Sequence, residues 1–341
     1  MHLYVTEQGA RLSKSGAHLV VSKAGEPLNE TLLQSVESVL LFGSVQSSSE
    51  ALKALMDVGA DVSFFTRDGR LKGKVVANSS NNVGLRLCQY DVFRNKVASV
   101  EIVRNIVLRK LENGLKVLDL YNANEHNPFK FENRLEVLKN IERVRLYEGS
   151  DKNVLRGYEG YGAKLYFENF AKCLMHGVPF NGREYHPCKD PVNALLSLGY
   201  SLVASSLQSL IESYGMDPAI GFLHEPSYGR VSLAYDLLEE FRHPFVDRLV
   251  LKVLNRKLIG VDDFEFRDGE GAPGQLFLKP TAMRAFIRSY EEFCDSANRA
   301  CKDDCEISWR GVLRQRVEAF RRMLLEGANE PLVWSPLLEA A

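Results

Sequence analysis

The most informative part of the sequence lies in the second half of the chain and reads Asp190-Pro-Val-Asn-Ala-Leu-Leu-Ser-Leu-Gly-Tyr-Ser-Leu-Val-Ala-Ser-Ser-Leu-Gln-Ser-Leu-Ile211. An aspartate followed by proline is typical of a helix start, because the aspartate caps the first turn and proline fits within it. No charged side chain follows until after Ile211, so length and composition alone would allow a membrane span. A stripe of serines nevertheless recurs every four residues, at Ser197, Ser201, Ser205 and Ser209. We therefore predict a helix that packs closely against other helices in a protein core, and no membrane association.

Upstream of this helix, residues 1 to about 90 show short apolar runs separated by Gly, Asn or Ser clusters, which is typical of β-strands. The predicted strands are His2–Thr6, His18–Ser22, Val36–Phe42, Asp61–Phe65 and Lys72–Ala77. One helix interrupts them, because Ser47 and Glu50 match a capping box and Gly59 provides a stop signal.

Beyond about Val83 the apolar residues recur at helical spacing. A long helix from Arg94 to Leu120 is predicted to carry its cations on the solvent side, namely Arg94, Lys96, Arg104, Arg109, Lys110 and Lys116. Further predictions are a short helix from Asp217 to about His224, a helix from Val231 to Ile259 broken at His243-Pro244, a hairpin within 264–278, and helices Thr281–Asn298 and Trp309–Glu326.

These patterns predict an α+β fold of two domains. The first is a β-rich N-terminal domain with one helix over residues 1–85, and the second is an all-α C-terminal domain over residues 86–327. Residues 328–341 form a tail, and the boundary is placed near Ser79-Ser80-Asn81-Asn82. A chain of 341 residues is long enough for two domains.

The composition is that of a globular protein. Apolar residues make up 45% and charged residues 26%, which excludes disordered and collagen-like classes. The 43 Lys and Arg residues nearly balance the 44 Asp and Glu residues, for a net charge of −1. This balance excludes a histone-like polycation, but it leaves room for a local basic surface.

The N-terminal residues lack the basic and apolar regions of a signal peptide. The six cysteines show no spacing typical of a disulfide framework. Both features favour a reducing compartment, and we expect a cytoplasmic location.

Two metal motifs begin in the sequence and fail. His224-Glu225 resembles the start of a zinc-protease H-E-x-x-H motif, but Pro226 follows and position 228 is Tyr. Glu240 and His243 form one E-x-x-H, and the second copy that a di-iron bundle needs is missing. Glycine-rich nucleotide-binding motifs are missing as well.

A better group of candidates is spread over three segments. Asp236 and Glu239 are three residues apart, so both carboxylates could face one ion from one side of a helix. His224 lies twelve residues before Asp236, and the turn at residues 227–230 could fold it back towards the same face. Glu159 lies between glycines on a separate helix, where small neighbours leave space for a substrate. Carboxylates with an imidazole suit Mg²⁺ or Mn²⁺. From spacing alone, solvated acidic residues and a histidine at a helix end remain the plainer explanation.

Four sequence blocks that follow one another in a characteristic order favour the metal site over this plainer explanation. They are Leu155-Arg-Gly-Tyr-Glu159-Gly, the stretch Asp190–Tyr200, Gly221-Phe-Leu-His224-Glu, and Ser232-Leu-Ala-Tyr-Asp236-Leu-Leu-Glu239-Glu-Phe-Arg242. With Leu40-Leu-Phe-Gly43 they make the chain, from residue 1 to about 325, resemble the CRISPR-associated spacer-acquisition integrases.

The resemblance implies a dimerising β-rich domain and an α-helical catalytic domain. It implies that Glu159, His224 and Glu239 bind Mg²⁺ or Mn²⁺, with Asp236 as an additional acidic catalytic residue. The implied activity is phosphoryl transfer on double-stranded and branched DNA, in which a 3′-hydroxyl of a short DNA attacks a phosphodiester of the CRISPR repeat. The implied partners are DNA, a second copy of the chain and a small companion CRISPR-associated protein.

DNA of varied sequence has to be held by its backbone, which calls for cations. We expect Arg242 to grip a phosphate, because it lies three residues after Glu239 on the same helical face. Arg230, Arg248 and Lys252 are further DNA-binding candidates. A catalytically silent DNA-binding scaffold of the same fold, and an unrelated helical metallohydrolase, remain the alternatives.

Overall fold

A computed structural model describes residues 1–76, 82–123, 130–184, 187–269, 272–298 and 307–326. The N-terminal part is built from strands and one helix. In chain order these are β1 His2–Val5, β2 Arg11–Ser15, β3 His18–Lys23, β4 Glu26–Leu32, β5 Ser38–Phe42, β6 Gln46–Ser47, α1 Ser49–Asp57, β7 Asp61–Phe65 and β8 Leu71–Val75.

The strands form two four-stranded sheets, with the orders β1-β5-β7-β8 and β4-β3-β2-β6. In the first sheet β1, β5 and β7 are parallel and β8 is antiparallel to β7. Side chains alternate along β5, as a strand requires. Val39 and Leu41 join the core of the N-terminal part, whereas Leu40 and Phe42 join the core of the helical part. The first sheet is therefore buried on both faces and supports the helices.

The five predicted strands are confirmed as β1, β3, β5, β7 and β8, but β2, β4 and the two-residue β6 were missed. β4 is almost entirely exposed at a sheet edge, so it has no apolar run by which to recognise it. The predicted capping box at Ser47 is wrong by one residue. The cap of α1 is Ser48, whose hydroxyl accepts a hydrogen bond from the Ala51 N–H at 3.1 Å.

The remaining chain is mainly helical. Its elements are α2 Val83–Arg94, α3 Lys96–Asn122, α4 Arg134–Arg145, α5 Lys152–Cys173, α6 Pro191–Ser213, α7 Ser232–Phe241, α8 Arg248–Asn255, β9 Phe264–Gly269, β10 Ala272–Leu278, α9 Pro280–Asp295, β11 Ala297–Asn298, β12 Ile307–Ser308 and α10 Trp309–Leu325. Strands β9 and β10 form the predicted antiparallel hairpin. The predicted α+β class is confirmed.

Helix α6 is the central element of the helical part. Asp190 caps it as predicted, accepting a hydrogen bond from the Asn193 N–H at 2.8 Å. It is long and apolar enough to span a membrane, but 72% of its most apolar 18-residue window is buried inside the protein. The helix therefore behaves as a core helix.

Two of the four serines in the stripe of α6 contact the N-terminal sheet instead of the neighbouring helix that the sequence analysis predicted. The Ser205 hydroxyl lies 3.2 Å from the Ser63 hydroxyl of β7. Lys74 of β8 donates hydrogen bonds to the Ser205 carbonyl and to the Ser209 hydroxyl. The small, polar face of α6 thus joins the helical part to the N-terminal sheet.

One helix prediction is wrong. The residues after Asp217 form turns instead of a short helix, and the Asp217 side chain accepts a hydrogen bond from the Ala219 N–H. The break predicted at His243-Pro244 is confirmed as an interruption of the α-helix, because residues Arg242–Asp247 form a π-helical segment between α7 and α8. The predicted domain boundary falls largely on residues 77–81 and the tail on residues 328–341, both outside the described residues.

Candidate active site

Three separate elements bring the predicted site residues together. Glu159 comes from the middle of α5, His224 from the loop before α7, and Glu239 from the last turn of α7. Glu239 is buried, while His224 and Glu159 keep about a quarter of their side chains exposed, at 23% each. The loop position of His224 differs from the predicted helix end.

Asp236 holds the loop that carries His224. Its two carboxylate oxygens accept hydrogen bonds from the backbone N–H groups of Phe222, Leu223 and His224, the last two at 3.0 and 2.9 Å. The same carboxylate lies 2.8 Å from Nδ1 of His224. A carboxylate in this place favours the tautomer with its proton on Nδ1. The Nε2 lone pair of His224 is then left to face Glu239, 3.9 Å away.

The structure does not bring the carboxylates of Asp236 and Glu239 to one point, and an ion faced by both stays a prediction. Asp236 is 1% exposed, and both of its oxygens are engaged by backbone and imidazole. Asp236 and Glu239 are indeed neighbours on α7, but their carboxylates serve different purposes. The carboxylate of Asp236 orients the loop and its histidine, whereas that of Glu239 enters the site.

Glu159 and Glu239 meet at the side chain of Lys110 from α3. The Lys110 ammonium group forms an ion pair with Oε1 of Glu159 and lies 2.6 Å from Oε2 of Glu239. The other oxygen of Glu239 lies 2.9 Å from Nε of Arg242. Lys110 was predicted to lie on the solvent side of its helix, but its side chain is only 8% exposed.

These charges set the protonation of the buried groups. Burial alone would raise the pKa of Glu239, but Arg242, Lys110 and His224 lower it well below its usual range. Burial alone would lower the pKa of Lys110, but Glu239 and Glu159 raise it above its usual value. The site therefore holds an ionised carboxylate and an ionised ammonium group in direct contact.

The donor set suits a hard divalent ion. Two carboxylates from different helices converge on one point, and an imidazole nitrogen faces one of them from the side. Oxygen donors with one nitrogen fit Mg²⁺ or Mn²⁺. Within the described part of the chain no three such side chains stand at ligand spacing, because Lys110 separates the carboxylates.

The site opens into a large cavity of about 1330 Å³ between the helices and strand β8. Glycines flank Glu159 as the sequence suggested, and open space surrounds the positions of Gly157 and Gly160. The cavity lining is rich in cations, with Lys72, Lys110, Arg156, Lys164, Arg183, Arg230 and Arg242. Such a lining suits a polyanion.

The four predicted DNA-binding residues separate into two groups. Arg242 stacks on Tyr200, 4.4 Å from its ring centre, and Arg230 lies over Tyr235; both line the cavity. Arg248 and Lys252 instead contact the ring of Phe293 on α9 and are not part of the cavity lining. The structure brings only the first pair to the site.

Sequence reasoning missed two residues of the site. Lys110 follows Val103 and Val107 on the apolar face of α3, and that register was the available signal. Arg156, one turn before Glu159, donates hydrogen bonds to the Leu223 carbonyl at 3.1 and 2.9 Å. Arg156 and Asp236 thus both hold the His224 loop, and no local pattern revealed this.

Comparison with solved structures shows which known fold the chain resembles. A casposase bound to an integration product matches with a TM-score of 0.84 at 24% identity, covering 96% of this chain and 92% of the other. A CAS1 protein from Thermotoga maritima matches with a TM-score of 0.80 at 23% identity, covering 95% and 97%. At these identities the likeness shows the fold, which is the two-domain α+β architecture of such proteins.

Sequence comparison gives the family. Residues 3–292 match the model described as CRISPR associated protein Cas1. A CRISPR-associated endonuclease Cas1 of Chlorobaculum tepidum is 35% identical over 299 residues, covering 85% of both chains. One from Thermus thermophilus is 35% identical over 291 residues, covering 85% of this chain and 83% of its own. The chain belongs to the CRISPR-associated Cas1 family, as its four sequence blocks had indicated.

Proposed function

We propose that this protein is a divalent-metal-dependent DNA endonuclease and integrase that inserts short DNA segments into a CRISPR array. The observation that carries the proposal is the convergence of Glu159, His224 and Glu239 at the floor of a cation-lined cavity. Membership of a family whose relatives are named CRISPR-associated endonucleases supports it.

The chemistry is a phosphodiester exchange. A DNA 3′-hydroxyl attacks the phosphorus of a phosphodiester, so one P–O bond forms while another breaks. The attacking oxygen loses a proton and the leaving oxygen gains one, so no redox partner or energy source is needed. Cleavage is the same exchange with water as the attacking group.

Each side chain has a defined part in this exchange. Glu159, Glu239 and the Nε2 atom of His224 would hold Mg²⁺ or Mn²⁺, which when bound stabilises negative charge on the phosphate. Asp236 keeps His224 in the tautomer that leaves Nε2 available. Arg242, held by Glu239 and Tyr200, presents its outer nitrogens to a phosphate oxygen.

The cavity cations would hold the DNA by its backbone. Lys164 and Arg230 are exposed on the rim, so their charges are accessible to phosphates. Arg248 and Lys252 remain candidates for a second DNA-contacting surface near α9. Backbone contacts of this kind suit an enzyme that accepts DNA of varied sequence.

We also propose the predicted partners, a second copy of the chain and a small companion CRISPR-associated protein. Similar folds occur in a Cas6-RT-Cas1–Cas2 complex, at a TM-score of 0.83. Edge strand β4 exposes Leu28 and Leu32, and an exposed edge strand can pair with another chain. Sedimentation equilibrium of wild type and Leu28→Lys, with the variant shifted towards monomer, would test self-association.

The test of the proposed activity uses Glu159→Gln and His224→Ala. Both variants should lose Mn²⁺-dependent cleavage of branched DNA, and joining of a short DNA to a plasmid carrying a CRISPR repeat, by at least about 100-fold. Glu168→Gln is the matched control, because Glu168 lies on the same helix and lines the same cavity but does not contact Lys110. It should retain activity close to wild type.

The alternative, a silent DNA-binding scaffold, makes a different prediction. Wild type would bind DNA but show no metal-dependent cleavage or joining, and Glu159→Gln would behave as wild type in every assay. Activity that survives in both Glu159→Gln and His224→Ala would show that the chemistry lies elsewhere in the molecule.

A further inference from the structure

Lys110 occupies the centre of the proposed ligand set. It lies on the apolar face of α3, is 6% exposed, and extends its ammonium group between carboxylates of two other helices. A buried lysine is costly unless opposite charges surround it. Here its two partners are the residues that we propose as metal ligands.

The local charges balance without any added ion. Glu159 and Glu239 carry two negative charges, and Lys110 and Arg242 carry two positive charges within ion-pair distance. The charge of Asp236 is satisfied separately by backbone N–H groups and by the imidazole. The carboxylates are therefore neutralised and held close together by protein side chains alone.

A divalent ion and the Lys110 ammonium group cannot occupy this space at the same time. Metal–oxygen bonds to Mg²⁺ are about 2.0–2.1 Å long, shorter than the ammonium–carboxylate contact to Glu239. An ion shared by both carboxylates would lie against the ammonium nitrogen, and like charges at such a distance repel strongly in a buried site.

We propose that Lys110 is a placeholder cation: its ammonium group keeps Glu159 and Glu239 assembled in the metal-free protein, and the incoming ion displaces it. This inference rests on the metal site proposed above. Displacement leaves the cavity with an excess of positive charge, since the ion neutralises both carboxylates and the charges of Lys110 and Arg242 are no longer balanced by them. A DNA phosphate entering the cavity offsets that excess, so metal and DNA favour each other's binding.

The Lys110 ammonium group has opposite effects on the stability of the metal-free protein and on its affinity for metal. It stabilises the metal-free protein by pairing with two carboxylates that would otherwise repel each other. It weakens metal binding, because the ion has to break both ion pairs before it can bind. Removing the ammonium group should therefore lower stability without metal and increase the affinity for metal.

The experiment compares wild type with Lys110→Met, which keeps an unbranched side chain out to Cε and removes the ammonium group. Mn²⁺ binding is measured at one fixed pH by electron paramagnetic resonance of the free ion, and melting temperature is measured in EDTA and in saturating Mn²⁺. Lys110→Met should bind Mn²⁺ at least about tenfold more tightly than wild type, which corresponds to about 1.4 kcal/mol. Its melting temperature should fall in EDTA, and saturating Mn²⁺ should restore most of the loss.

Lys74→Met is the matched control. Lys74 is also buried, with 3% of its side chain exposed. Its ammonium group lies 3.4 Å from a carboxylate oxygen of Asp61, and neither residue belongs to the proposed site. Lys74→Met should melt lower by the same amount in both buffers and leave Mn²⁺ affinity unchanged. A purely structural lysine would give that same result at position 110.

The outcomes separate the two proposals. If wild type binds no Mn²⁺, or if Glu159→Gln binds it equally well, the proposed metal site is wrong. If wild type binds Mn²⁺ at Glu159 but Lys110→Met binds it no more tightly, only the placeholder is wrong. Lys110→Met that fails to fold even with Mn²⁺ also overturns the placeholder, because the ion should then be able to replace the ammonium group.

Discussion

Two adjacent glutamates of α7 show how strongly a single residue depends on its surroundings. Glu239 faces Lys110 and Arg242, which lower its pKa, whereas burial raises the pKa of Glu240 to about 7 against the opposing effect of Arg316. The carboxylate of Glu240 is 2% exposed and lies 3.2 Å from Nη2 of Arg316 on α10. The carboxylate of Glu239 thus faces the site, whereas that of the next residue, Glu240, lies in a buried contact between helices.

Glu240 should make stability depend on pH. Its pKa is higher in the folded protein than the value of about 4.3 expected when unfolded, so the folded state binds more protons between about pH 4.5 and pH 7. The free energy of unfolding should therefore fall as pH rises through this range, by up to about 3 kcal/mol. In urea unfolding, the free energy of unfolding of Glu240→Gln should rise relative to that of wild type as the pH increases.

Glu318→Gln is the control for that measurement, because Glu318 is exposed on the same helix as Arg316. Its stability should follow wild type at every pH. Parallel curves for wild type and Glu240→Gln would mean that the Glu240 carboxyl keeps the same affinity for its proton in both states.

At the level of helices, the π-helical segment after α7 has a specific support. Pro244 has no N–H, so it cannot donate to the carbonyl of Glu240, four residues earlier. Asn113 of α3 donates a hydrogen bond to that carbonyl at 3.0 Å. The chain can thereby continue from α7 into α8 and keep Glu239 and Arg242 on the side of the cavity.

Asn113→Ala should remove this support. The Glu240 carbonyl would be left buried without a donor, which costs about 1–3 kcal/mol in the free energy of unfolding. Asn105→Ala is the control, since Asn105 lies on the same helix and donates a hydrogen bond to Glu101, one turn away on that helix. Equal stability losses in the two variants, measured by urea unfolding, would contradict the supporting role of Asn113.

Sequence patterns predicted elements whose signals are local. The cap at Asp190, strands β1, β3, β5, β7 and β8, and the hairpin of β9 and β10 follow from neighbouring residues. The patterns failed where a distant partner decides the structure. They did not predict the π-helical segment at Pro244, because its supporting donor Asn113 is far away in sequence. They assigned Lys110 to solvent, because its partners lie on α5 and α7.

The site itself was only partly predictable. The resemblance correctly indicated which residues of α5, α7 and the His224 loop come together, because their blocks keep a characteristic order and spacing. It did not indicate that the Asp236 carboxylate accepts hydrogen bonds from three backbone N–H groups, since these contacts depend on how residues 221–224 turn. The division at residue 85 and the tail at 328–341 remain predictions.

The molecule as a whole has a net charge close to zero, but its large cavity is lined with cations. Strand β8 contributes Lys72 to one wall and α5 contributes Lys164 to another, so both parts of the chain meet the proposed DNA. The Ser63 hydroxyl of β7 contacts the Ser205 hydroxyl of α6 where the two parts of the chain meet. The interface between the two parts is therefore also the support of the proposed DNA-binding groove.

DNA binding should accordingly depend steeply on salt. Arg230→Ala and Lys164→Ala should each weaken binding and reduce the slope of log affinity against log salt by about 1, because each removes one phosphate contact. Lys53→Ala is the control, since Lys53 is exposed on α1 and is not part of the cavity lining. Fluorescence anisotropy with branched DNA measures the slopes.

The double variant Arg248→Ala, Lys252→Ala decides the remaining sequence prediction. A smaller slope would show that DNA also contacts the surface near α9, whereas an unchanged slope would confine it to the cavity. An unchanged slope in both Arg230→Ala and Lys164→Ala would instead contradict the proposed path of the DNA.

The most direct test of the account is anomalous diffraction from crystals of the wild-type protein soaked in Mn²⁺. We expect one strong peak within about 2.3 Å of carboxylate oxygens of Glu159 and Glu239 and of Nε2 of His224, with the Lys110 ammonium group moved away from its present position. A peak bound by other residues, or none at this site in protein that joins DNA with Mn²⁺, would contradict it.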